Sequence, residues 1–449
     1  MNIHVPQSLE SQAEMKYLSA AQWNMISPQS SKPNMAIVQD SLVGAYRMTQ
    51  NLKKLTKGQF FNIAMSLPRA PWLQTKVENE NSIKEISTYK VMSSEEILDR
   101  IQHIRRVLKE KEKKVQCFNG HGLVSLFLPL DFNYEKTNDA NPKEPTVKIW
   151  KGVMYEGTID KAIVGASHSS IHHLLHKEYG PEIASYFIDC IQFTTNKYLL
   201  IDGFSVGLGD CLIPQTKNKD GVTKEEEIRD VISKCYIEAE AIKQSTTHPN
   251  IREIRINASL NKAKDIGLRI AKEALTEDNN FLSTVLSGSK GDFFNIAQIT
   301  GLLGQQNLKG QRVPLLLNHG KRSLPHYPFG DLDHEMKYES RGFIASSFLR
   351  GLNPRQFYFH AMSGREGICD TAMGTATSGY MQRRIVKLTE DMKIQEDGTV
   401  RDTVGKIYQL AYGQLGFDPV STVKVKNDQE MCDISRMVAR LNMNHELKK

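Results

Sequence analysis

Cysteine is scarce: six residues in 449, at 117, 190, 211, 235, 369 and 432, with no two close enough for a CxxC pair. That spacing speaks against a zinc ribbon or a disulfide scaffold and fits a reducing, intracellular compartment. No apolar run approaches the roughly 18 residues of a membrane span. The longest, Leu123 to Leu130, is interrupted by Ser125 and Pro129, so no membrane partner is expected. Met1 to Glu10 lacks a basic stretch followed by an apolar one and does not read as a signal peptide. Neither sign of charge dominates: 58 Lys+Arg against 51 Asp+Glu leave +7, which permits a polyanionic partner without demanding one. Gly 30 and Pro 16 are too few for a collagen-like or low-complexity chain. Forty percent hydrophobic residues is too many for a disordered one. At roughly 100–200 residues per domain, the length corresponds to two to four domains.

Local chemistry marks several helices. Ser93-Ser94-Glu95-Glu96 opens a helix, with Ile97, Leu98, Ile101, Ile104 and Val107 on one face. The charged run Arg105 to Lys114 reads as a solvated face. Thr223 and Glu226 form a second capping box, with Ile228, Val231, Ile232, Cys235, Ala239 and Ile242 at helical steps. His248-Pro249-Asn250 breaks that helix, and Ile251, Ile254, Ala258, Ala263, Ile266 and Ile270 begin another. Two such helices joined by a short loop read as an antiparallel hairpin. Gly120 to Asp131 reads as strand-like, Tyr134 to Pro145 as an exposed loop, and residues 170–195 as one helix. Val147 to Val164 reads as short strands with turns at Gly152 and Gly157. Pro68, Pro71 and Glu78 to Asn81 mark loops.

The most informative segment is Asn353 to Lys393. Asn353 is a good N-cap, Pro354 suits the first helical position, and Gln356 stands at the capping-box position. A helix from Pro354 to about Glu390 is on the order of 55 Å long. It carries Gly364, Gly367, Gly374 and Gly379, each costing roughly 0.5–1 kcal/mol against Ala. Thr371, Thr375, Thr377 and Ser378 make its middle small and polar. Periodicity alone leaves two readings open: two helices with a loop between them, or one helix thinned and softened so that something flat can approach. Between Arg350 and Lys393, seven Lys/Arg face four acids, a net +3. Arg383, Arg384 and Lys387 cluster just after Tyr380, an arrangement in which a ring stacks on a base while cations hold phosphates.

The wording of these segments goes further. GFIASSFLRGLNPRQFYFHAMSGREGICDTAMGTATSGYMQRRIVK, residues 342–387, closely resembles the largest subunit of multisubunit DNA-directed RNA polymerases at its bridge helix. SGSKGDFFNIAQITGLLGQQNLKG (287–310) resembles the end of the funnel and the pore edge, and GFSVGLGD (203–210) the funnel entry. HVPQS (4–8) and SPQSSKPNMAIVQDSLVGAYRMT (27–49) resemble the stretch after the catalytic aspartates, in wording nearest the RNA polymerase II type. Residues 55–145 match poorly.

The resemblance implies an α+β, multidomain fragment with a mixed pore domain, an antiparallel helical funnel hairpin and one long bridge helix. The implied segments are 1–202 (end of the active-site region and pore domain), 203–310 (funnel hairpin and pore edge), 311–352 (connector), 353–393 (bridge helix) and 394–449 (start of a cleft domain). It implies that Thr375 and Ala376 lie against the base pair at the insertion position, and that Gly379 contributes to a flexible, template-facing stretch. Tyr380 would face the template, with Arg383, Arg384 and Lys387 at its phosphates. Lys290 would line the pore for nucleoside triphosphates. Gln298, Gln305 and Gln306 would sit beside that pore, either orienting the bridge helix or satisfying buried backbone.

The family's NADFDGD loop, which holds Mg²⁺, and its trigger loop have no counterpart in the sequence. The Mg²⁺ ligands are therefore expected outside this chain, no catalytic residue is expected on it, and the isolated chain is expected to be inactive. No zinc site is expected. Asp331, Asp333, His334 and Glu335 match a variable acidic loop, and His172, His173 and His176 read as ordinary helix histidines rather than a metal site. Expected partners are the second-largest and smaller polymerase subunits, the DNA template, the RNA–DNA hybrid and nucleoside triphosphates. The expected location is the nucleus, or a cytoplasmic viral factory or virion. The rival reading is a non-catalytic scaffold, derived from that subunit, that binds nucleic acid or other subunits.

Overall fold

The computed structural model describes residues 3–29, 31–50, 54–71, 91–112, 117–137, 145–212, 223–276 and 278–413, with a few isolated positions beyond. The loop expected at Glu78 to Asn81 lies outside the described residues. Helices alternate with small antiparallel sheets of two or three strands, an α+β chain. Two compact units are present: Met1–Phe204 with Leu286–Lys290 and Lys393–Lys449, and Ser205–Val285 with Gly291–Met392.

The first unit is built on one large apolar core. Leu42, Ala45 and Met48 enter it from the helix Gln39–Gln50, Ile97, Ile101 and Ile104 from Ser94–Glu110, and Phe187 and Ile191 from Pro181–Asp202. The helix starts at Ser93 as expected, closed by a capping box in which Ser93 Oγ accepts from the Glu96 amide, while Leu98, expected on the inward face, is exposed. The strands Tyr134–Lys136, Val147–Trp150 and Val153–Glu156 form a three-stranded antiparallel sheet, with Gly152 and Gly157 both at positive φ. Tyr134–Lys136 is thus a strand, not loop, because its pairing with Val147–Trp150 satisfies its backbone groups.

Further expectations are corrected: Lys161–Val164, expected within a run of strands, is a short helix because the Asp160 side chain caps it by accepting from the Ala162 and Ile163 amides. Gly120 to Asp131 opens with a six-residue helix, Gly120–Ser125, buried throughout. A continuous apolar run does not distinguish a buried strand from a buried helix. Here the Asn119 side chain caps the helix by accepting from the Gly122 amide. A Cβ on Gly120 would stand 2.0 Å from the Met48 carbonyl oxygen, so only glycine fits that approach. Residues 170–195 form two helices, Ile171–Tyr179 and Pro181–Asp202, separated at Gly180 with φ +96°.

The Gly120–Ser125 helix is closed by a buried cation. Arg100 donates from Nε to the Leu126 carbonyl at 3.2 Å and from Nη2 to the carbonyls of Ser125 and Leu128. Burial lowers its pKa to about 10.

The second unit is organised around the helical hairpin Lys224–Ser245 and Pro249–Ala274. Ile228, Ile232, Cys235 and Ala239 face the partner helix as expected, but the partner presents Ile256, Leu260 and Ala263. Ile251, Ile254 and Ala258, expected on that face, are exposed. The helix carries apolar residues on more than one side, and periodicity does not say which side a neighbour covers. The side chains of Ile266 and Ile270 lie outside the described residues. The hairpin also carries Tyr338, whose ring stacks on Tyr236 at 4.6 Å and 4°. Burial and the adjacent Glu240 carboxylate push the Tyr338 phenol up to about 12.

Candidate nucleic-acid interface

Pro354–Thr389 is one uninterrupted helix of 36 residues, about 54 Å at ~1.5 Å per residue. The two-helix reading therefore falls away. Its start follows the sequence: Asn353 Oδ1 accepts from the Gln356 amide at 2.8 Å, and the Asn353 amide donates to Gln356 Oε1 at 3.2 Å. The first half is anchored by side chains remote in sequence. The Glu339 carboxylate accepts from Tyr327 Oη at 3.1 Å and Gln356 Nε2 at 3.3 Å, and pairs with Arg355 Nε at 3.2 Å. Burial first, then this carboxylate, raise the Tyr327 phenol well above its ordinary value. The Tyr327 ring stacks against Phe359, the helix's buried residue at 1% exposure. His360 Nδ1 and Gln306 Oε1 are hydrogen-bonded at 3.2 Å. Both Glu366 oxygens accept from the Lys309 amide, at 2.8 and 3.0 Å.

Beyond Glu366 the support ends. Every residue from Gly367 to Asp391 is exposed. A Cβ added to Gly364, Gly367, Gly374 or Gly379 would meet nothing within 4 Å. Thr371, Thr375 and Thr377 turn their hydroxyls back onto the carbonyls of Gly367, Ala372 and Met373, a bond that competes with the helical ladder and favours bending.

The predicted site residues Thr375, Ala376, Gly379, Tyr380, Arg383, Arg384 and Lys387 all lie on this exposed stretch. Ala376, Tyr380, Arg383 and Lys387 recur at helical steps and share one face. Gly379 and Arg384 border that face on opposite sides, and Thr375 stands about 100° from Ala376. The Arg384 guanidinium lies 4.8 Å from the Tyr380 ring centroid, and Lys387 pairs with Glu390 at 3.0 Å. Residues eighteen apart are five turns apart and so project alike. The strip therefore continues the line of Tyr358, Met362, Arg365 and Cys369, which faces a cavity of about 790 Å³. The strand pair Asn307–Leu308 and Gln311–Arg312 borders the same cavity.

The predicted pore residues lie elsewhere. Lys290 is exposed in the first unit, in a loop bent by positive φ at Gly288 and Gly291. Gln298, Gln305 and Gln306 belong to the second unit. Gln298 is partly buried in the helix Phe293–Thr300. Gln305 Nε2 donates to the backbone carbonyls of Gln306 and Arg341, both at 2.8 Å, while Gln306 reaches the long helix through His360. The anchors Tyr327, Glu339 and the Lys309 amide escaped the sequence reading, since nothing local marks them. Among the described residues, no group of three or more His, Cys, Asp or Glu side chains gathers to hold a metal ion. None of their helices is long and apolar enough to cross a membrane.

Three family models match in succession: RNA polymerase Rpb1 domain 3 over residues 24–211, domain 4 over 222–344 and domain 5 over 351–438. The chain belongs to the RNA polymerase Rpb1 family. It corresponds to a middle portion of the largest RNA polymerase subunit. It is 45% identical, over 99% of its own length, to a protein of Invertebrate iridescent virus 6 named "Probable DNA-directed RNA polymerase II subunit RPB1 homolog". The chain spans 42% of the length of that curated relative. The domain 3 match runs through residues 55–145, where the wording alone gave little. In this Rpb1-family chain the long helix falls within the domain 5 match.

Proposed function

We propose that this chain works within a DNA-directed RNA polymerase and contributes positioning to template-directed nucleotidyl transfer. On this reading the long helix is the bridge helix. Ala376 and Thr375 lie beside the base pair being formed, Tyr380 stacks toward the template, and Arg383, Arg384 and Lys387 hold its phosphates. Gly374 and Gly379 let the helix bend as the template advances. The hairpin Lys224–Ser245 and Pro249–Ala274 is the funnel. Lys290, Gln298, Gln305 and Gln306 border the path by which nucleoside triphosphates enter. Mg²⁺ supplies the activation of the attacking hydroxyl and the neutralisation of pyrophosphate. On this reading its ligands are supplied by other segments of the assembly. The second-largest subunit and smaller subunits are the partners, in the nucleus or a viral factory.

One observation carries the reading. The helix is clamped up to Glu366 and then runs on uncovered, with Met373, Tyr380, Met381, Ile385, Val386 and Leu388 exposed on several sides. A helix with apolar residues all round is normally a buried one. Its cations stand among them, which suits a groove filled by nucleic acid and protein together.

The test is an assembly purified through this chain and supplied with a primed template and nucleoside triphosphates. Template-dependent RNA synthesis is expected. The double variant Arg383→Ala, Arg384→Ala is expected to lower the elongation rate at least about tenfold and to release template at lower salt, since each phosphate contact adds to the salt slope. An assembly without synthesis supports the scaffold reading instead. Synthesis indifferent to the two arginines removes the template role.

A further inference from the structure

A second cavity, of about 560 Å³, lies in the second unit away from the exposed strip. One wall is a tight hairpin in which Leu317 and Arg322 exchange both backbone hydrogen bonds, at 2.9 and 3.0 Å. Asn318, His319 and Gly320 turn it through positive φ. Arg322 Nη2 folds back onto the carbonyls of Pro325 and Tyr327 and fixes the loop. Lys321 and Arg322 line the cavity, and no carboxylate among the described residues pairs with either. The lining also has an apolar part, with Leu315, Leu332 and Phe329, the last 73% exposed. Asp331 is the acid among the lining residues.

We propose that this cavity docks a segment of another polypeptide that presents an Asp or Glu beside a bulky apolar side chain. Among the described residues neither cation is paired with a carboxylate, Asp331 is the one acid of the lining against two cations, and the Phe329 ring is exposed. An acidic side chain supplies a counter-charge and its apolar neighbour covers the ring. An inorganic anion leaves Phe329 in water, and a nucleic-acid backbone gains little from an apolar wall. The volume lies in the range of ordinary binding pockets.

The position of the cavity gives the docking a consequence. Tyr327 lines it, and the same Tyr327 stacks on Phe359 and donates to Glu339 at the foot of the long helix. An occupant therefore touches the residue on which that helix rests.

The proposal is independent of whether the assembly synthesises RNA. It is tested by placing the photo-crosslinker p-benzoylphenylalanine at position 329 of the full chain within its purified assembly. Mass spectrometry then locates the adduct. The expected result is a crosslink to a polypeptide within about three residues of an Asp or Glu. Lys321→Glu is expected to lower its yield about fivefold, the scale of one accessible ion pair, while Lys321→Arg preserves it. Crosslinks confined to nucleic acid, crosslinks to a segment without acids, no crosslink at all, or a yield unchanged by Lys321→Glu each overturn it. Loss of RNA synthesis with the crosslink intact counts against the proposed function alone.

Discussion

At the scale of single residues, the first unit buries groups that water would otherwise charge. His172 and His173 are each about 1% exposed in the helix Ile171–Tyr179. Burial, helped by neighbouring His176 and, for His173, by Lys177, lowers them to about 4 and about 3. The Ser169 amide donates to His173 Nδ1 at 3.1 Å, which requires that nitrogen to be unprotonated. The unfolded chain takes up these protons near the ordinary histidine pKa, about 6.5. Below that pH the unfolded state binds more protons than the folded one, so stability is full above 6.5 and falls as the pH drops toward 4 and 3. The slope is about 1.4 kcal/mol per pH unit for each histidine. Urea unfolding of the chain at pH 7.5, 6.5 and 5.5 should show the loss, and His172→Leu should reduce the slope. A flat profile across that interval would mean that these imidazoles stay neutral in both states. The sequence displayed the two histidines but not their burial, which depends on a core gathered from distant segments.

At the scale of elements, what was legible is what local chemistry determines. Thr223 and Asn353 each begin a helix with the capping box that their sequence spells, and a helix begins at Ser93 as expected. The long helix was legible in its start and composition but not in its continuity, because glycines and threonines suit a loop equally well. Its anchoring was invisible: Lys309, Tyr327 and Glu339 precede Arg355 to Glu366 by long stretches of chain and follow no period. The same logic governs the glycines. With nothing within 4 Å of an added Cβ at Gly374 or Gly379, no contact among the described residues requires glycine there. Softness is what remains. In the chain itself, Gly374→Ala with Gly379→Ala should therefore stabilise the helix by about 2 kcal/mol. Hydrogen exchange of amides 371–380 should slow by tenfold or more. If the chain works in a polymerase as proposed, the same pair should alter elongation rate or pausing. Exchange left at its original rate would show that helix softness is not set by these positions.

At the scale of the whole chain, the uncovered surface sets the terms. Ile368, Met373 and Leu388 each stand more than two-thirds exposed on a helix that its own chain clamps at one end. Among the described residues nothing covers these apolar groups, and the proposed assembly would supply that cover. That makes assembly measurable at the helix itself. Arg383, Arg384 and Lys387 are exposed trypsin sites on a segment weakened by glycine. Cleavage needs only local opening, whose free energy is small where few contacts hold the backbone. In the free chain these three sites should be cut rapidly. In an assembly of the kind proposed, where the helix would be covered by partners and nucleic acid, each should be protected by at least about tenfold, because covering the segment adds its contact energy to the cost of opening. Equal cleavage in the two forms would place the helix on the outside of the assembly and remove the physical basis for its proposed contact with a template.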